Sequence, residues 1–310
     1  MALCYNPAMD RRSFVRTTAW SVLAATAGRS LWAQSGGFRE LRRHVGIFES
    51  RGGTIGWLIT ADAVVLVDSQ FPDTARQCAD GVQERSKRRW DAVFNTHHHG
   101  DHVGGNSVFA RLTDRIIAHQ RVPMLMQRAA AARPNDPPPT PPTETFETEF
   151  KLDVGGETIR ARYFGPAHTS GDSVIHFEQA NVVHMGDLVF NRTLPFIDRD
   201  AGASIAGWAK IVERVANEYP ADAIYIFGHG NSRFGVVGTR ADLLVERDFL
   251  TALLETVEKD RQAGKSKEEC INRERVPGFP DHEPLGSWLT TARVLETAWL
   301  EVTEGVVEVR

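Results

Sequence analysis

Cysteine is nearly absent from this chain of 310 residues, which carries Cys4, Cys78 and Cys270. Three thiols are too few for a disulfide framework, and nothing in the spacing of Cys78 and Cys270 argues for the one bridge they could form. Neither follows a strand in a ligand-like context, so both read as structural. An excess of basic charge is also missing: 36 Lys and Arg stand against 40 Asp and Glu, a net charge of −4. That balance does not suggest a nucleic-acid partner. Long apolar runs are lacking too, and the uncharged stretch Thr17 to Gly28 is too short to cross a bilayer, which takes about 20 residues.

What is present is the composition of a globular protein, 42% hydrophobic and 25% charged, with ample length for one layered domain. The amino terminus differs from the rest. Asp10-Arg11-Arg12-Ser13-Phe14-Val15-Arg16 places paired arginines and a Phe ahead of the uncharged stretch, with small residues at Ala25-Thr26-Ala27 and Leu31-Trp32-Ala33. This resembles a twin-arginine export signal over residues 1–33, with Met9 as an alternative first residue. Its removal takes away four Arg and one Asp, which moves the net charge from −4 to −7. The expected location is the periplasm or another exported compartment, with no stable membrane insertion after cleavage.

The densest chemistry lies at His97-His98-His99-Gly100-Asp101-His102, directly after the apolar run Trp90 to Phe94. A short, abruptly ended apolar run reads as a buried strand, so the histidines sit in a loop at its carboxyl end. Imidazole and carboxylate are ligands that suit zinc, and ligands on one short turn cost little entropy to organise. Alternation in extended chain points His97 and His99 one way and His98 the other, which leaves His98 out of the ligand set. Gly100 lets the chain turn, so that Asp101 and His102 face a second centre.

The pattern H-x-H-x-D-H after a strand resembles the metallo-β-lactamase superfamily. Three downstream segments match that family in its order: Gly165-Pro166-Ala167-His168-Thr169-Ser170-Gly171-Asp172, Val182-Val183-His184-Met185-Gly186-Asp187, and Ala223-Ile224-Tyr225-Ile226-Phe227-Gly228-His229. The resemblance implies one metal held by His97, His99 and His168 and another by Asp101, His102 and His229, with Asp187 bridging. It also implies two zinc ions per chain that share a water and lower its pKa to near 7. Asp101 is then the catalytic residue, holding the nucleophilic water and relaying its proton. The implied fold is an α/β, αββα four-layer sandwich.

Further residues are read with less specificity. Asp68 ends the apolar run Ala63 to Val67; it either orients the metal loop, as the resemblance implies, or caps the following helix. His119 ends the run Arg115 to Ala118 and is a candidate support for the ligands from behind. Gly52 to Trp57 is either a mobile hairpin that offers Trp57 to substrate or a structural tight turn. Asn191 and Arg192 either anchor a substrate carboxylate or belong to the surface. His44, His176, His184 and His282 lack ligand-like flanks.

Strands alternate with helices over residues 40–130 and again over 145–230, and the proline-rich stretch Arg133 to Pro142 between them reads as a spacer, with a loop beside the cleft as the alternative. The domain is bounded at 34–238, and residues 239–310 form a helical extension packed on it, with helices over 239–263, 267–273 and 287–304. Asp stands at 187 where many carbapenem-hydrolysing relatives have Cys, so the site resembles glyoxalase II and exported lactonases more closely. The function expected is an exported binuclear zinc hydrolase cleaving a small-molecule lactone, thioester, ester or β-lactam. The alternative is an oxidoreductase of the persulfide dioxygenase kind with a single iron. The oligomeric state is left open.

Overall fold

The computed structural model describes residues 37–309, so the export segment expected at 1–33 lies outside the described residues. Seven strands form one sheet in chain order: Gly37–Arg42, Val45–Glu49, Ile55–Ile59, Val64–Val67, Ala92–Phe94, Ile116–His119 and Glu144–Phe146. The first four pair antiparallel, and from Val64–Val67 onward the ladder is parallel. Parallel neighbours need a crossover, and the helix Pro72–Arg85 supplies the first. The edge strands Gly37–Arg42 and Glu144–Phe146 escape the sequence expectation. The first is too polar and the second too short for a local pattern, and both are held by their neighbours.

A second sheet of six strands runs Val237–Gly238, Ile224–Ile226, Val182–His184, Ser173–Phe177, Glu157–Tyr163 and Glu149–Val154 in spatial order. Side-chain alternation sorts each strand into two faces. Val65 and Val67 join Phe94, Ile159, Ile175 and Ile226 in the core between the sheets. Val64 and Leu66 point outward onto Ala75, Cys78 and Val82 of the helix Pro72–Arg85. On the far side, Val174, Val183 and Tyr225 meet Trp208 and Val212 of the helix Ile205–Glu218. The layers are therefore helix, sheet, sheet, helix.

The carboxyl-terminal helices share that outer core. Leu243, Phe249, Leu250 and Leu253 of the helix Arg240–Gln262 and Val294, Leu295 and Ala298 of the helix Thr291–Glu304 belong to one buried cluster with Trp208. Each such side chain contributes about 1.5–3 kcal/mol by leaving water. The last helix starts at Thr291, later than the expected 287, because the Thr290 side chain accepts from the Arg293 amide and sets the boundary. Residues 285–289 are thereby left as irregular chain. Cys78 and Cys270 are free, buried thiols in separate clusters, so no bridge forms between them.

Four chain segments place the chemistry on one rim. The chain leaves Val64–Val67 at Asp68, Ala92–Phe94 at Asn95 to His97, Val182–His184 at Asp187, and Ile224–Ile226 at His229. These strands are parallel within their sheets, so their carboxyl ends open on the same crevice.

Candidate metal centre

Two groups of side chains converge at that rim. His97, His99, His168 and Asp187 place one ligand atom each within 4.8 Å of one another, and Asp101, His102 and His229 do the same beside them. Asp187 reaches both groups. Its Oδ2 lies 3.7 Å from His97 Nε2, 3.5 Å from His168 Nε2 and 3.5 Å from His229 Nε2, and its Oδ1 lies 3.0 Å from His102 Nε2.

The protons on these rings are assigned by what stands behind them. His168 Nδ1 donates to the Phe196 carbonyl at 2.6 Å, His102 Nδ1 to Asp68 Oδ2 at 2.7 Å, and His99 Nε2 to Asp198 Oδ2 at 2.8 Å. His97 Nδ1 lies 3.0 Å from Thr96 Oγ1, whose hydroxyl donates onward to Asp68 Oδ2 at 2.8 Å. Each outer nitrogen is thus committed as a donor, and each inner nitrogen is left with a lone pair. Those lone pairs face one another: His99 Nδ1 stands 3.1 Å from His97 Nε2 and 2.9 Å from His168 Nε2. Neutral imidazoles cannot satisfy such an arrangement among themselves, and a cation can. Asp187 Oδ1 is likewise buried without a hydrogen-bond partner. The donor set fits the nitrogen and oxygen ligation of zinc.

In the first group the electrostatics agree with the protonation pattern. Burial holds His97 far below the ordinary imidazole range and takes His168 down to about 3. In the second group burial is outweighed by carboxylates, so Asp187, Asp101 and Asp68 raise His102, and Asp187 and Asp101 raise His229 to about 9. Burial would also raise Asp101, yet the charge on His102 and the hydrogen bond from His229 hold its carboxyl well below the usual range. Asp101 is the more exposed of the two acids, 28% against 4% for Asp187, and it faces the cleft.

Local backbone explains how these groups reach the rim. Asp68 adopts a left-handed conformation, φ 65°, which Asp tolerates better than most residues and which swings its carboxylate under the metal loop. It accepts from the Thr96 amide at 2.7 Å as well as from Thr96 Oγ1 and His102. The following helix has Phe71 as its N-cap and no side-chain cap, so the capping role does not fall to Asp68. Gly186 turns at φ 51°, and a Cβ on Gly228 would sit 1.9 Å from Asp187 Oδ1. Both glycines are therefore needed for the bridging carboxylate to lie where it does.

Other expected residues stand elsewhere. His98 is buried, with Nε2 3.7 Å from Asp198 Oδ2 and Nδ1 without a partner; it stands outside the two groups around Asp187 but clusters with His99 and Asp198 as a third set of potential ligands. His119 does not support the ligands: it stacks on Tyr163 at 3.9 Å, because its strand delivers it to the interior beside Phe146. Trp57 is not a cleft residue either. It is 5% exposed and packs on Phe38 and over Gly46, since its strand turns that face to the outer helix layer. The preceding turn is pinned, with Gln70 Nε2 donating to the Gly53 carbonyl at 2.7 Å and the Thr54 amide to Gly228 at 2.9 Å. Asn191 donates to the Gly235 carbonyl, and Arg192 pairs with Asp242 at 2.6 Å, so both tie the His229 loop to the helix Arg240–Gln262 rather than face substrate. Phe190–Asn191 pairs with His229–Gly230 as a two-residue parallel ladder, and the Phe190 ring stacks on His229.

Asp198, Thr96 and Phe196 escaped the sequence reading. Asp198 and Phe196 sit in an irregular loop with no flanking pattern, and Thr96 is an unremarkable residue before the first His. Their only signal is three-dimensional, in the outer nitrogens they receive.

The family comparisons agree with this geometry. A model of the metallo-beta-lactamase superfamily matches residues 51–229. Metallo-beta-lactamase IND-1 of Chryseobacterium indologenes is 25% identical over 180 residues, 58% of this chain and 72% of that protein. Hydroxyacylglutathione hydrolase of Gloeobacter violaceus is 34% identical over 100 residues, 32% of this chain and 34% of that one. Among solved structures, the sec-alkylsulfatase Pisa1 from Pseudomonas sp. superposes with a TM-score of 0.68 at 16% identity, covering 87% of this chain and 50% of that longer one. With the matched region carrying both ligand groups, the chain belongs to the metallo-beta-lactamase superfamily and is a metal-dependent hydrolase.

Proposed function

We propose that the protein is an exported binuclear zinc hydrolase of a small-molecule carbonyl substrate, a lactone, thioester, ester or β-lactam. The observation that carries the reading is the convergence of imidazole nitrogens from His97, His99 and His168 on one side and His102 and His229 on the other, with Asp187 between. His97, His99, His168 and Asp187 would hold one ion, and Asp101, His102, His229 and Asp187 the other. Bound there, the pair would supply Lewis acidity and a water acidic enough to attack at neutral pH.

The chain's own contribution is positional. Asp101, held ionised and facing the cleft, accepts a hydrogen bond from the attacking water and takes up its proton. Asp198, Asp68 and the Phe196 carbonyl fix the ring tautomers, so the ligands need no rearrangement. The cleft above them encloses about 650 Å³, a volume suited to a small ligand, and Phe71, Phe190 and Phe196 give it apolar walls. Two complete ligand groups support two metals over a single iron. Export is supported by the paired arginines Arg11 and Arg12 ahead of an uncharged stretch. No helix among the described residues is long and apolar enough to cross a membrane.

Metal analysis and chelation test the reading together. Protein purified from its native compartment should carry two zinc ions per chain, lose ester and lactone hydrolysis on chelation, and regain it with Zn²⁺. Turnover that survives complete metal removal, or a single iron per chain, overturns it.

A further inference from the structure

Two exposed arginines on the wall of the cleft have no acidic partner among the described residues. Arg133, at the head of the proline-rich segment, and Arg293, on the helix Thr291–Glu304, both line the cavity that holds Asp101, Asp187 and His229. Many arginines are paired, Arg192 with Asp242, Arg199 with Glu304, Arg233 with Asp281 and Arg247 with Glu213, while others away from the cleft, such as Arg111 and Arg128, have no ion pair among the described residues. Arg133 and Arg293 form no ion pair among the described residues.

Arg293 is held in place without being neutralised. Its guanidinium carbon lies 5.5 Å from the Phe196 ring and 5.4 Å from the Trp288 ring. Phe196 in turn packs 5.4 Å from the ring of His99. One phenylalanine ring therefore separates the cation from the ligand cluster. Trp288 is 52% exposed and Leu285 39%, and both stand on the same wall, so apolar surface and free positive charge face the cavity together. Arg293, Trp288 and Leu285 come from outside residues 51–229, the part of the chain that matches the superfamily, whereas Arg133 and Phe196 lie within it.

We propose that the substrate is an organic anion with an apolar body, whose carboxylate, remote from the bond to be cleaved, is bound by Arg293 with Arg133. This inference rests on the hydrolase reading and narrows its substrate class. The physical argument is complementarity. A planar guanidinium resting beside two rings offers its N–H fork to a carboxylate. The proline-rich stretch thus acts as more than a spacer, since the residue that opens it reaches the cleft. Arg192, expected from sequence to hold a substrate carboxylate, is committed to Asp242, and the role passes to the helical extension.

A matched pair of esters tests the inference: mono-4-nitrophenyl adipate, with a free carboxylate at its far end, and its neutral methyl ester. The zinc-loaded enzyme should prefer the acid at least ~10-fold in kcat/KM. R293A should lose ~10–100-fold on the acid, mainly through KM, and change the methyl ester less than ~3-fold, in line with the loss of a charged hydrogen bond. R133A should act in the same direction. A wild-type enzyme with no preference for the acid, or an R293A variant that falls equally on both esters, overturns the inference. An enzyme that hydrolyses neither ester counts against the hydrolase reading instead. Calorimetric titration with monomethyl adipate and dimethyl adipate then decides the inference on its own. The acid should bind wild type more tightly than the diester, and retention of that difference in R293A, as a metal-bound carboxylate would give, overturns it.

Discussion

Asp68→Asn is the sharpest perturbation of the candidate centre, because it changes polarity without changing shape. Asp68 is fully buried and accepts three hydrogen bonds, from the Thr96 amide at 2.7 Å, Thr96 Oγ1 at 2.8 Å and His102 Nδ1 at 2.7 Å. Asn tolerates the left-handed backbone at this position, so the substitution adds no strain. An amide nitrogen, however, can donate but not accept. If it occupies the Oδ2 position, His102 must move its proton to Nε2, the atom that faces Asp187 and His229, and the lone pair needed for a metal is lost. If the amide flips, its nitrogen meets the Thr96 N–H and leaves a buried backbone donor unpaired. Either arrangement removes at least one charge-assisted bond, worth about 1.5–3 kcal/mol, and strands a donor at about 1–3 kcal/mol. The expected result is a loss of about 2–4 kcal/mol in unfolding free energy and of roughly 10–100-fold in affinity for one of the two metals. Denaturant unfolding of the chelated protein reads the first, and competition with a zinc-binding dye reads the second. A D68N protein that binds both metals as tightly as wild type would refute the proton assignment on which the centre is built.

Three further outcomes follow from the same geometry. His99→Ala should remove a metal and most activity, whereas His98→Ala should leave metal content within experimental error of wild type; equal metal loss would show that both rings act as ligands. Trp57→Ala should cost about 3–5 kcal/mol in denaturant unfolding, as a large core truncation does, and leave KM near wild type; a raised KM at unchanged stability would return Trp57 to the cleft. Arg11→Lys combined with Arg12→Lys should hold the protein in the cytoplasm at unchanged charge, because a compact ammonium does not replace a guanidinium in recognition. Processed protein in the periplasm of cells expressing that variant would mean that the segment is not read as a twin-arginine signal.

The layered fold was legible because its strands are short apolar runs with sharp ends and its helices carry apolar residues at helical spacing. Those patterns are local consequences of burying one face or both. The seven ligand candidates were legible for a different reason. Ligands that follow strand ends keep a fixed place in the chain, and the glycines at 186 and 228 mark where the chain must turn or clear a side chain, whereas a Cβ at Gly100 would meet nothing.

What the sequence could not decide was which distant residue meets which. Asp198 reaches His99 across a separation of 99 residues and the Phe196 carbonyl reaches His168 from an irregular loop, so neither leaves a periodic or spaced signature. Trp57, Asn191 and Arg192 look like cleft residues in one dimension because they neighbour turns or ligands. The strand face of Trp57, the hydrogen bond of Asn191 to the Gly235 carbonyl and the ion pair of Arg192 with Asp242 turn them away in three. The free cations Arg133 and Arg293 are ordinary surface arginines in the sequence, and only the packing of the last helix against the outer core brings Arg293 to the cleft beside Phe196. Local patterns record burial and turning, which each segment must satisfy for itself. The partners of an outer imidazole nitrogen and the walls of the cavity are set by contacts between segments, and these exist only once the chain has folded.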